Sequence, residues 1–247
     1  MPVYYPMDDV YLNIARGLVK DTSDIHKFGA NPSLGNGLAN IETIWDGSNL
    51  YPWSTWDSGA DNLYLASSNS ADTSRVIEVQ GLDENYNLQI ETVTLNASDA
   101  TTAVATANTY IRVFRMRNVG STGIAGNVTA KYGTSGGTTV AQITDGNNQT
   151  LMCIYTIPAG YKGYLLNFEL SSGKNDEIHT KLFIRDFGGV FRLNHQAAFA
   201  QIQYNYKYSV PFEINEKADI DLRAYAGSAG VDISGTFNLI LMKKPLG

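Results

Sequence analysis

Ala198-Phe-Ala-Gln-Ile-Gln-Tyr-Asn-Tyr-Lys-Tyr-Ser-Val210 decides the fold class. Its even positions hold Ala198, Ala200, Ile202, Tyr204, Tyr206, Tyr208 and Val210, and its odd positions hold Phe199, Gln201, Gln203, Asn205, Lys207 and Ser209. Hydrophobic residues take seven of the seven even positions and one of the six odd ones. Side chains alternate across a strand, so this period of two predicts a β-strand with one buried face.

The same period recurs on both sides. Tyr164, Leu166, Phe168 and Leu170 alternate with Leu165, Asn167, Glu169 and Ser171. Ile220, Leu222 and Ala224 alternate with Asp219, Asp221 and Arg223, which places the charges on a solvated face. Val231, Ile233, Phe237 and Leu239 do the same against Asp232, Thr236 and Asn238. Residues 75–80 and 88–95 flank the turn cluster Gly81-Leu-Asp-Glu-Asn-Tyr-Asn87 and predict a hairpin. Further strands are expected over 109–117, 127–132 and 138–144, between glycine-rich loops. No crossover helices separate these runs, so a parallel βαβ design is excluded. The pattern predicts an all-β fold of antiparallel β-sandwich or jelly-roll-like type.

Two β modules are expected, at 41–146 and 147–247, with Gly146-Asn-Asn-Gln-Thr150 as their boundary. Residues 1–40 read as an extended N-terminal arm. Within it Tyr11, Ile14, Ala15 and Leu18 have helical spacing over 8–20, capped by Asp8 or Asp9, although Val10, Leu12 and Ile14 also alternate. Gly29-Ala-Asn-Pro-Ser-Leu-Gly-Asn-Gly37 supplies turn formers without a period.

The chain has 247 residues and a formal charge of −6, and only 17% of its residues are charged. That balance is wrong for a disordered chain and for a nucleic-acid binder. One cysteine cannot build a disulfide framework or a zinc ribbon. Thr, Ser, Asn and Gly stand where a monomer usually shows Lys and Glu, and such a neutral surface is easily desolvated in an assembly. No apolar run spans a membrane, and the N-terminus lacks the basic-then-apolar pattern of a secretory leader.

Chemical motifs are sparse. His26, His179 and His195 have no metal-ligand spacing, and Cys153 in Leu151-Met-Cys-Ile-Tyr155 reads as a buried thiol, so no metal and no cofactor are expected. The acid pairs Asp83/Glu84, Asp176/Glu177 and Asp219/Asp221 could serve a hydrolase on any fold, which makes them unspecific. Arg112, Arg115 and Arg117 put three arginines within six residues of an acidic chain and are candidates for contacting an acidic partner. Trp45, Tyr51, Trp53 and Trp56 gather every tryptophan into twelve residues. Turned inward they are core or interface; turned outward they could stack on sugars. Tyr204, Tyr206 and Tyr208 read as the wet margin of a core.

The order of several short phrases resembles a known group: His26-Lys-Phe-Gly29, Ile44-Trp-Asp-Gly47, Ala71-Asp-Thr73, Val79-Gln-Gly-Leu-Asp83, Glu91-Thr-Val-Thr-Leu-Asn96, Tyr155-Thr-Ile-Pro-Ala-Gly160 and Glu216-Lys-Ala-Asp-Ile220. Over about residues 26–242 the chain resembles small all-β virion proteins of tailed bacteriophages, many from cyanobacterial and related hosts. Ser74-Arg75 leads straight into a strand where a longer glycine-containing turn is expected of that group. The resemblance implies a non-enzymatic component of head, neck or tail, made in the host cytoplasm and located in the virion. Its expected partners are copies of itself, most simply as a trimer, and other virion proteins. Nucleic acid and membrane insertion are not expected. The alternative expectation is a carbohydrate-binding sandwich that grips host glycans with the 45–56 aromatics.

Overall fold

The period-two runs become sixteen strands in a computed structural model that describes residues 9–174, 176–200 and 203–244. They form two pairs of antiparallel sheets, as the alternation requires. In the first pair, β3 (Asp61–Ser67), β6 (Val104–Tyr110), β8 (Val128–Tyr132) and β9 (Thr139–Ile143) order as β6-β3-β8-β9. Against them lie β4 (Val76–Leu82), β5 (Leu88–Thr94) and β7 (Arg112–Asn118), in the order β5-β4-β7. Leu63, Leu65, Val128 and Val140 meet Ile77, Val79, Val93 and Met116 in a single core.

The second pair holds β1 (Thr22–Leu34), β11 (Tyr161–Ser171), β14 (Gln203–Ile214) and β16 (Val231–Lys243), ordered β1-β16-β11-β14. Its facing sheet orders β10 (Ile154–Thr156), β15 (Asp219–Ala226), β12 (Ile178–Arg185) and β13 (Arg192–Phe199), with the short β2 (Glu42–Thr43) also on β15. Phe168, Leu170, Phe237 and Leu239 pack there against Ile178, Leu182, Ile220 and Leu222.

The hairpin over 75–95 forms in register, Val76 opposite Thr94 and Leu82 opposite Leu88. Asp83 closes its turn: the carboxylate accepts from the Asn85 and Asn87 amides, and Tyr86 takes a left-handed φ of 64°. Asp72 closes another loop from inside, fully buried, accepting from the Ser67 hydroxyl and from the amides of Ala125 and Gly126.

Several expectations need correction. Within the expected arm, residues 22–34 are a core strand, β1, paired with β16 from Thr22 opposite Met242 to Leu34 opposite Val231. Its inward positions are Lys27, Gly29 and Asn31, so no apolar alternation announces it. Residues 1–8 of the expected arm lie outside the described residues. The helix is shorter than 8–20: α1 covers Val10–Ala15, Asp9 caps it through the Tyr11 amide at 2.9 Å, and Gly17 at φ 70° breaks it off.

The 198–210 stretch is not one strand. Its ends belong to β13 and β14, which lie in different sheets, and residues 201–202 are outside the described ones. Its tyrosines are half-buried against the core, while Val210 is 79% exposed. The 109–117 run also breaks, at Ile111, where the chain leaves one sheet for the other. In β11 a bulge between Leu165 and Asn167 shifts the phase, so Leu165, Phe168 and Leu170 face inward and Leu166 does not.

Candidate functional site

The 45–56 segment bridges the two sandwiches. Residues Trp53–Ser58 form a 3₁₀ turn that tucks Trp53 and Trp56 inward. Trp45, Tyr51, Trp53 and Trp56 are all buried, at 2–6% exposure. Tyr51 packs edge-on to both Trp45 and Trp53, with ring centroids at 5.2 and 4.8 Å, and Trp56 packs edge-on to Tyr132 at 5.2 Å. Gly47 is required here, because a Cβ would come within 2.2 Å of the Trp45 ring. The glycan expectation is corrected for these four rings: none has a face left for a sugar. Their apolar area serves the interior.

Trp53 ends on charge. Its Nε1 donates to Asp221 Oδ2 at 2.7 Å. The same carboxylate accepts from Thr43 Oγ1 at 2.9 Å and from Arg223 Nε at 2.8 Å. Two residues along β15, Asp219 is held still more fully. Arg112 Nε and Nη2 reach its two oxygens at 2.8 and 3.1 Å. Arg185 Nε and Nη2 reach Oδ2 at 2.8 and 2.6 Å, and the Thr156 hydroxyl reaches Oδ1 at 2.6 Å. Phe191 lies over the cluster, 4.6 Å from the Arg185 guanidinium and 4.8 Å from that of Arg223.

Expecting Asp219, Asp221 and Arg223 on a solvated face was wrong: both carboxylates are buried. The polar face of β15 is covered by the first sandwich, through Trp53 and Arg112. A buried charge is tolerated only when paired and hydrogen-bonded, and here each carboxylate is. Burial alone would depress the Arg112 pKa, but Asp219 more than offsets it and holds the guanidinium protonated. All four oxygens of this acid pair accept from chain donors, three at Asp221 and five at Asp219, so the pair is committed to holding its neighbours. The arrangement is a clamp between sandwiches.

The three arginines therefore differ. Arg112 belongs to that clamp. Arg117 pairs with Glu78 at 2.7 and 3.0 Å across β7 and β4, and its hydrogen bonds lower the Glu78 pKa. Arg115 has no carboxylate partner among the described residues; its Nη2 donates to His26 O at 3.1 Å and its guanidinium lies over Phe28 at 5.8 Å. Beside it the buried Lys27 donates from Nζ to Phe114 O. Burial, and then the Arg115 charge, lower the Lys27 pKa to about 7.

Sequence reasoning missed Lys27, Thr43, Thr156, Arg185 and Phe191. Only a charge on an otherwise apolar strand, as at Asp219, hinted at the clamp. The Cys153 thiol is buried as expected, its Sγ on Gly235 O at 3.0 Å, and burial raises its pKa. No described helix is long and apolar enough to cross a membrane.

No family model matches the chain, and no curated protein matches it. Among solved structures it is similar to the VP2 subviral particle of infectious bursal disease virus, at 10% identity, TM-score 0.23, over 91% of this chain and 72% of that one. The Gx strain of the same virus gives 10% identity and TM-score 0.20 over 90% and 76%. The Gt strain gives 9% and 0.18 over 99% and 80%. Scores this low carry no argument about the role of this chain.

Proposed function

We propose that this chain is a non-enzymatic structural protein of a tailed-phage virion, in the head, neck or tail, which works by contacting copies of itself and neighbouring virion proteins. One observation carries the reading: large apolar side chains stand uncovered on edge strands of a weakly charged surface. Leu88 and Ile90 are 49% and 62% exposed on β5, Leu193 is exposed on β13 and Val210 on β14, and among the described residues each of these strands has one unpaired edge. Edge backbone beside apolar side chains is a surface to be covered. The clamp supports the same reading, since it commits the strongest polar constellation to rigidity. The order of phrases from His26 to Ile220 supplies the phage assignment.

The test has two arms. At micromolar concentration the purified protein is expected to scatter light as an oligomer, with a trimer the simplest closed form. Mass spectrometry of intact virions is expected to find it at fixed stoichiometry to the shell protein. A monomer that is also absent from virions would end the proposal.

A further inference from the structure

The outer face of the β6-β3-β8-β9 sheet carries a depression of about 620 Å³. Small-ligand sites commonly enclose roughly 300–1,000 Å³. Leu63, Leu65 and Val128 turn into the core of the first sandwich, so the alternate side chains of the same strands turn outward. Tyr64, Ala66, Thr129, Lys131 and Gln142 are the result, and all five line the depression. Strand pairing sets them side by side: Tyr64 opposite Lys131, Ala66 opposite Thr129, and Thr129 opposite Gln142. Ala66 adds little bulk at the centre, while the chain at Thr101–Ala103 and at Ser135 borders it.

The lining is polar in both senses. Gln142 Nε2 donates to Asp46 O at 2.9 Å, which leaves its Oε1 as an oriented acceptor. Asn127 Oδ1 accepts from the Asp145 amide at 2.9 Å, which leaves its Nδ2 as an oriented donor. The hydroxyls of Tyr64 and Thr129 have no partner among the described residues, and a hydroxyl both donates and accepts. No Asp or Glu lines the depression, and Lys131 has no ion pair among the described residues. On a chain of net charge −6, that is a local excess of one positive charge. None of the large, exposed apolar side chains lies here, in contrast to the edges of β5, β13 and β14.

We infer that this depression binds a carboxylated saccharide, with one sugar ring against Tyr64 and its carboxylate at Lys131. A sugar ring presents an apolar C–H face to an aromatic ring and hydroxyls around its rim. The rim needs donors and acceptors together, as Asn127, Thr129 and Gln142 supply them. Directly opposed residues of paired strands have Cβ atoms about 5 Å apart, so Tyr64 and Lys131 can meet the same sugar unit. An inorganic anion would find a single cation here, and a protein partner would lack the apolar anchor that holds most interfaces. The site is separate from the buried 45–56 rings, and the inference does not depend on self-assembly.

Calorimetric titration of the full chain tests it, with tetragalacturonate and sialyllactose as probes and the methyl ester of each as the uncharged control. At least one acidic probe is expected to bind, and its ester at least about tenfold more weakly. Lys131→Met is expected to erase the preference for acid over ester. Thr129→Glu, which sets a carboxylate beside the lysine, is expected to lose the acidic probe, and Tyr64→Ala to weaken acid and ester alike. Circular dichroism and light scattering of all three variants are expected to match the parent. If neither acidic probe binds at millimolar concentration, or if Lys131→Met and Thr129→Glu bind as the parent does, the inference is overturned and the assembly reading stands. Variants with an altered oligomeric state would make this face a contact between copies and overturn it as well.

Discussion

Asp46 is buried, its Oδ1 has no side-chain partner among the described residues, and its Oδ2 accepts the Thr144 hydroxyl at 3.0 Å. Burial raises its pKa to about 7, against the opposing pull of that hydroxyl and of nearby backbone amides. The folded state therefore holds a proton that the unfolded chain releases near 3.8. This contribution is complete below pH 3.8 and is lost as pH rises to about 7. Lys27 runs the other way. Its pKa falls from 10.5 to about 7, so its contribution is present above 10.5 and lost as pH falls to 7. From these two groups, stability passes through a minimum near neutral pH. Asp46→Asn is expected to abolish the acid-side slope and to gain on the order of 3 kcal/mol at pH 8 relative to the parent. Urea midpoints at pH 5 and pH 8 check it; a variant that keeps the parent's slope would refute the assignment. Neither group was legible in the sequence. Asp46 stands in what reads as a loop phrase, and Arg112, Arg115 and Arg117 look alike until their partners are known.

β1 shows how an element escapes a periodicity reading. Its partner β16 was plain from Val231, Ile233, Phe237 and Leu239, all buried. β1 presents Lys27, Gly29 and Asn31 inward, because it meets backbone and carbonyl groups there and not only side chains. Gly29 is the tightest point: a Cβ would lie 2.4 Å from both Cys153 N and Ile44 O. Those two atoms are hydrogen-bonded to each other at 2.9 Å, and Met152 N bonds to Phe28 O at 2.9 Å. Neither backbone can yield without breaking these bonds. Gly29→Ala is expected to cost about 3 kcal/mol or more, beyond an ordinary strand glycine substitution. Thermal unfolding measures it, with Gly136→Ala, at a site open around its Cβ, as the neutral control. The same limit explains β11 and β15. A bulge reverses phase without changing composition, and a polar face covered by another part of the chain reads like one facing water. What alternation conveyed was strand identity and the antiparallel class.

The two sandwiches share their interior. Leu82, Tyr86 and Phe114, from the first, pack into the core of the second, while Met152, just before β10, and Ile154, its first residue, pack into the first. The Asp219 and Asp221 clamp lies across this junction, so apolar contact and ion pairing both couple the halves, and their shares can be separated. Asp219→Asn keeps the shape but leaves Arg112 and Arg185 facing a neutral amide in a buried site. Losing one partner of a buried pair costs about 3–5 kcal/mol. If the clamp dominates the coupling, that loss falls on the junction more than on either core. The parent is then expected to unfold in denaturant as one transition, with tryptophan fluorescence and far-UV circular dichroism superimposed. The variant is expected to split them. All three tryptophans sit in the 45–56 segment, so fluorescence follows the first core and the junction, while circular dichroism follows the strands of both sandwiches. Coincident curves in Asp219→Asn, shifted to lower denaturant, would mean that Leu82, Tyr86 and Phe114 suffice to hold the halves together. In the structural role proposed above, such coupling would let a load on one sandwich be carried by the other instead of peeling them apart.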